Sequence, residues 1–286
     1  MLIFVSLLHF DSIPHNSPFS IDMEKILNYS LFNDPLESCL ESILEQIDSN
    51  RQTLSSPAHV ARSCQYAACL NPHSFCEAQK DSDFQKALLD ARWLVPDGVG
   101  MVLASFLLGG SIRTRITGSD LFSGICQKIN ALGGYRVFLL GSTPDTLARI
   151  VKRMAIDYPQ IEVVGTYSPP FKATFSDLEI GAMVQTINIA RPDILWVAMT
   201  APKQEKWLLE AQNQLRVPFA GAIGAVFDFY SGSVVRPSIF YQNLGLEWLP
   251  RLLQEPKRLY KRMAVSAPIF LWAVLVQWWR EHFLNY

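Results

Sequence analysis

The chain is 286 residues long, 49% hydrophobic and only 18% charged, which excludes a disordered chain and allows one large α/β domain or two coupled lobes. Its formal net charge of −1 excludes a general nucleic-acid binder, whose affinity would come from neutralising phosphates. Five cysteines without a CxxC pair and five histidines without an HExxH spacing argue against a disulfide framework or a zinc site and point to a reducing cytosol.

The apolar run at residues 1–10 is too short to span a bilayer and lacks the basic start of a secretory signal. Residues 1–23 therefore read as an extension, with Met23 as an alternative start. Asp34-Pro35 followed by Leu36, Leu40, Ile43, Leu44 and Ile47 predicts a capped amphipathic helix. A turn at 55–59 precedes a short strand at 66–70, and Pro72 opens one helix running toward residue 89. Residues 93–95 form another strand, ending at Pro96-Asp97-Gly98, and a helix of small residues covers 99–108. The later pattern predicts strands at 135–140, 161–164, 194–199 and 219–225, with helices from 143 to 158, 178 to 190 and 203 to 215. Strands alternating with helices of this length imply parallel βαβ units in an open, doubly wound sheet. The α/β domain is expected to cover 24–244, and a helical appendage 245–286.

Ligands of such a sheet bind beyond the carboxyl ends of its strands. Four segments fall there. Gly141-Ser142-Thr143 joins a strand to a helix whose N–H groups favour a phosphate, although taken alone the segment reads first as an ordinary helix cap. Asp97 in Pro96-Asp97-Gly98-Val99-Gly100 is either a general base for a sugar hydroxyl or a turn aspartate. After the strand at 194–199, Pro202 suits a first helical turn, Lys203 suits a phosphate, and Gln204 suits a sugar or base edge. The small residues at 221–225 allow close approach of a ligand, and Asp228 suits a ribose hydroxyl. Asp81-Ser82-Asp83 matches the D-x-D pattern of metal-dependent glycosyltransferases but lies away from a strand end, and it reads as a solvated face. No metal and no cofactor are expected.

From Trp248 onward the basic residues Arg251, Lys257, Arg258, Lys261, Arg262 and Arg280 face only Glu255 and Glu281 in a stretch dense in Trp, Tyr and Phe. That composition fits a water–lipid boundary, with roughly 1 kcal/mol per cation near an anionic surface. Packing on the main domain and a contact within a homo-oligomer are the other readings. Pro268 and the short apolar run oppose a spanning helix.

The motifs in combination resemble the WecG/TagA/CpsF family of glycosyltransferases over roughly residues 24–263. They are Asn71-Pro72, Pro96-Asp97-Gly98-Val99-Gly100, Arg115-Ile116-Thr117-Gly118-Ser119-Asp120, Pro202-Lys203-Gln204-Glu205, Gly224-Ala225-Val226-Phe227-Asp228-Phe229, and Gly245-Leu246-Glu247-Trp248 with Arg251-Leu252 and Glu255-Pro256. The resemblance implies an inverting, metal-independent transferase with a Rossmann-like fold. Its donor would be a UDP-sugar, notably UDP-N-acetylmannosamine, and its acceptor a polyprenyl-diphosphate-linked saccharide at the inner face of the cytoplasmic membrane, in surface polysaccharide synthesis. It assigns Asp97 as the general base and Asn71, Arg115 and Gln204 as further active-site positions. It assigns Arg251, Arg258 and Arg262 to the lipid diphosphate. Two departures stand out. Cys69 occupies a position where the family usually has Thr, and a thiol is the weaker hydrogen-bonding group. Arg236-Pro237-Ser238 replaces Arg-Ala-Pro. Two rival classes are a nucleotide-dependent oxidoreductase, opposed by the missing G-x-G-x-x-G, and a non-catalytic relative that binds a UDP-sugar or lipid, for which Cys69 is the one hint.

Overall fold

The computed structural model describes residues 22–54, 63–234 and 261–283. Its centre is a six-stranded, all-parallel sheet. The strands are β3 (Gln65–Leu70), β4 (Trp93–Pro96), β5 (Tyr135–Gly141), β6 (Ile161–Tyr167), β7 (Ile194–Ala198) and β8 (Phe219–Ala222), in the order β4-β3-β8-β7-β5-β6. The α/β architecture expected from the alternation is the one observed. A separate hairpin of β1 (Met23–Ile26) and β2 (Tyr29–Phe32) precedes it, and the sequence reading does not contain this hairpin.

Both faces of the sheet are covered, because neighbouring residues on a strand point to opposite sides. On β7, Ile194, Trp196 and Ala198 join one apolar cluster, while Leu195 and Val197 join the other. The first cluster is completed by α1 (Leu36–Leu54), α5 (Gly118–Leu132), α6 (Pro144–Asp157) and α9 (Val226–Tyr230). The second is completed by α2 (Pro72–Ala78), α3 (Ser82–Asp90), α4 (Val99–Leu107), α7 (Asp177–Ala190), α8 (Lys203–Ala211) and α10 (Ala267–Phe283).

Several sequence expectations change. The single helix from Pro72 is two helices. The chain turns extended at Asp81, whose carboxylate accepts the N–H groups of Asp83 and Phe84 at 3.1 and 3.0 Å and so starts α3 afresh. The stretch 118–132, outside the expected elements, is the 15-residue helix α5, opened by a reciprocal box in which Thr117 N donates to Asp120 Oδ2 at 2.9 Å and Asp120 N to Thr117 Oγ1 at 3.3 Å. The strand expected at 219–225 stops at Ala222, and the helix expected at 203–215 stops at Ala211. The turn at 55–59 and the tail from 245 to 260 lie outside the described residues.

The C-terminal piece begins as a π-helical turn, Lys261–Ser266, and continues as α10. It docks on α2: Ser266 Oγ lies 3.0 Å from His73 Nδ1, the Ser266 carbonyl accepts from the Cys76 thiol at 3.4 Å, and Phe270 meets Phe75 edge-on at 5.5 Å. Among the described residues no helix is long and apolar enough to cross a membrane.

Candidate active site

The carboxyl ends of β4, β3, β8, β7 and β5 lie side by side along one edge of the sheet. Residues far apart in the chain meet there because of strand register. Leu70 of β3 pairs with Pro96 of β4, so Asn71 and Asp97 leave the sheet together. Asp97 N donates to Leu70 O at 2.8 Å, which carries the pairing one residue past the strand. Gly98 then takes φ +90°, a region that side chains disfavour, and turns the chain into α4. Pro96-Asp97-Gly98 is therefore a strand end that presents a carboxylate.

Asn71 is held by both ends of its amide. Oδ1 caps α2 by accepting from His73 N at 3.1 Å and Ser74 N at 2.9 Å, and Nδ2 donates to Asp97 Oδ2 at 3.2 Å. Capping thus fixes which way the amide faces, and that direction is toward Asp97. Both residues are half-buried. Arg115, also half-buried, sits in the loop before α5, where Ile116 N donates to Pro96 O at 2.9 Å and ties that loop to the same strand end.

Cys69 precedes this turn on β3, level with Val95. Burial pushes its thiol well above the ordinary range, and the carboxylates of Asp97, Glu205 and Asp120 add to the shift. It is a neutral thiol in a free cysteine, not a nucleophile.

At the ends of β7 and β8 the polar groups are sealed. Gln204 and Glu205 are 4% and 2% exposed. Gln204 Oε1 accepts from Gly224 N at 3.0 Å, and Nε2 donates to Glu205 Oε1 at 2.8 Å. Burial lifts the Glu205 carboxyl to about 7, the hydrogen bond from Gln204 opposing it, and Oε2 has no partner among the described residues. The sequence reading quoted Glu205 in a motif but gave it no role. The helical spacing of Trp207, Leu208 and Ala211 marks the buried face of α8, but it does not by itself place Glu205 there. Lys203 reaches away from this network. Its Nζ donates to Lys172 O at 2.7 Å and lies 5.3 Å over the Phe171 ring, in the loop after β6. Asp228, half-buried in α9, lies on the segment following β8.

At the β5 end, Gly141 has φ +112° and packs so closely on β7 that a Cβ would sit 2.5 Å from Ala198 O. Ser142 follows at φ +63°, and its carbonyl accepts from Ser168 Oγ at 2.8 Å. Thr143 caps α6, its Oγ1 accepting from Thr146 N at 3.2 Å, with Pro144 at the first helical position.

Asp81 of the D-x-D pattern, besides capping α3, takes Lys206 Nζ at 3.0 Å. Burial opposes its ionisation, but the helix amides and the lysine outweigh it and hold the carboxyl below its ordinary range. Arg251, Arg258 and the side chain of Arg262 lie outside the described residues.

Residues 26–283 match the family described as Glycosyl transferase WecG/TagA/CpsF family. A relative from Bacillus spizizenii, named N-acetylglucosaminyldiphosphoundecaprenol N-acetyl-beta-D-mannosaminyltransferase, is 32% identical over 205 residues, covering 72% of this chain and 76% of the relative. A Staphylococcus aureus protein of the same name is 28% identical over 204 residues, covering 71% and 77%. These are names of enzymes, which does not favour the non-catalytic reading. With an α/β sheet whose edge gathers the motif residues 71, 97, 115 and 204, the chain belongs to the WecG/TagA/CpsF family of glycosyltransferases.

Proposed function

We propose that this glycosyltransferase moves N-acetylmannosamine, or a related hexose, from a UDP-sugar to a polyprenyl-diphosphate-linked N-acetylglucosamine at the inner face of the cytoplasmic membrane. The observation that carries the mechanism is the 3.2 Å hydrogen bond from Asn71 Nδ2 to Asp97 Oδ2 at the adjoining ends of β3 and β4. The capped amide fixes Asp97, a carboxylate at a strand end with small neighbours, in one orientation. The acceptor hydroxyl oxygen attacks the anomeric carbon and its proton passes to Asp97. The bond from that carbon to the UDP oxygen breaks on the opposite face, so the configuration inverts.

Leaving-group charge needs fixed donors or cations in a metal-independent reaction. Arg115, beside the Asp97 turn, and the α6 entry at Gly141, Ser142 and Thr143 are assigned that role. Arg251, Arg258 and Arg262 are assigned to the lipid diphosphate. Asp228 and Lys203 are assigned to the donor. Gln204 ties the start of α8 to the loop after β8, and Cys69 stands on β3 two residues before Asn71.

The test is UDP release by the full chain with a short-chain polyprenyl-diphosphate-N-acetylglucosamine acceptor and a panel of UDP-sugars, with and without EDTA. Acceptor-dependent release that survives EDTA is the expected result, and it names the donor. Release that requires an added divalent cation would overturn the metal-independent mechanism.

A further inference from the structure

We infer that α4 is a lipid-facing element: its outer stripe and the outer face of α10 form one apolar surface that enters a bilayer leaflet beside Asp97. The inference rests on the transferase reading for its meaning, but the surface itself is read from the fold. Val99, Leu103 and Phe106 stand at i, i+4 and i+7 on α4 and are 48%, 46% and 71% exposed. A water-facing helix surface carries polar residues at such positions, and here no charged residue occurs from 98 to 112. The core does not need these side chains, because α4 buries its other face through Met101, Ala104 and Ser105.

The neighbouring helix repeats the pattern. No charged residue occurs from 264 to 279. Phe270 and Val274 face inward, while Ile269, Trp272 and Trp279 are 49%, 70% and 51% exposed. α10 packs against α4 as well as α2. The N-terminal hairpin ties the two together. Glu24 Oε2 accepts from Ser111 N at 2.7 Å and Ile112 N at 3.0 Å just past α4, and Leu27 N donates to Gln277 Oε1 of α10 at 2.6 Å. The two apolar faces are thereby held as one platform.

A leaflet is the occupant that the chemistry fits. Exposed tryptophans on an uncharged helix face, with Arg280 and His282 only at its end, match an element lying in the interface with its apolar side about 5–10 Å deep. A soluble protein partner would be met by a polar rim around a smaller apolar centre. The stripe also begins two residues after Asp97. An acceptor whose isoprenoid chain stays in the leaflet can then present its sugar to the carboxylate without its chain being drawn into water.

The experiment is flotation of the full chain with phosphatidylcholine vesicles, with and without phosphatidylglycerol, in the absence of donor and acceptor. Phe106→Asp is compared with Ile156→Asp, a control at a 79% exposed position on α6, on the opposite face of the sheet. The expected result is that wild type floats, Phe106→Asp partitions about tenfold more weakly, and the control stays within about twofold. Trp272→Asp on α10 is the independent second variant and weakens flotation similarly. Failure of the wild type to float, or equal flotation by all variants, would overturn the inference. So would a change from dimer to monomer by light scattering in Phe106→Asp with flotation unaltered, which would make the face a contact between copies. Because the assay holds no sugar nucleotide, a failed UDP-release experiment leaves its outcome intact.

Discussion

The ends of β3 and β4 and the ends of β7 and β8 are assembled from the same parts, yet only one of the two is open. In each, an amide side chain gives its oxygen to backbone N–H groups and its nitrogen to a carboxylate: Asn71 caps α2 and donates to Asp97, and Gln204 holds Gly224 N and donates to Glu205. Asn71 and Asp97 keep exposed surface, whereas Gln204 and Glu205 are 4% and 2% exposed. On the mechanism proposed above, the difference in burial separates a carboxylate that meets the acceptor hydroxyl from one that holds two strand-end loops together.

The sharpest way to break this comparison is to remove the accessible carboxylate. Asp97→Asn keeps the shape and the strand pairing but leaves no base, so UDP release should fall by about a hundredfold or more, with the melting temperature unchanged. Near-normal turnover would place the base elsewhere.

Glu205→Gln tests the sealed half. Burial raises its carboxyl from 4.5 to about 7 in the folded chain. A raised value means that the contribution to stability is complete below the unfolded value and is lost as pH climbs through the folded one. The glutamine variant has no such loss. Between about pH 5 and pH 8 its stability should therefore gain on wild type by roughly 2–3 kcal/mol, read from urea unfolding at the two pH values. A constant difference would mean that Glu205 is reached by water and that the two regions are alike.

The smallest effect is expected from Asn71→Ser. Serine caps a helix about as well as asparagine, so unfolding should move little. The donor to Asp97 is lost, and turnover should drop about tenfold. If turnover holds, contacts other than the Asn71 amide orient Asp97.

Much of the frame was legible in the chain. Largely apolar six-residue stretches at 135–140 and 194–199, each followed by an amphipathic stretch, predict strands of a parallel sheet, and β5 and β7 stand there. Pro96-Asp97-Gly98 marked a strand end in advance, since Gly98 is the residue able to take the φ the turn needs. The hairpin β1–β2 was missed because two four-residue strands carry too little alternation to register. The break at 79–81 was missed because Asp81 is as compatible with a helix surface as with a cap until its carboxylate is seen on the amides of Asp83 and Phe84.

The sequence by itself determined the kind of architecture and the motifs at its strand ends, because periodicity and turn chemistry act over a few residues and need no distant partner. Only the tertiary structure decided that Asn71 meets Asp97 across 26 residues, since that contact follows from the register of β3 on β4. It also decided that Glu205 is closed off while Asp97 is not, and that α4 packs against α10 with apolar side chains exposed on each. Burial and apposition are properties of the packed layers, set by which helix covers which face of the sheet, and no local pattern carries them.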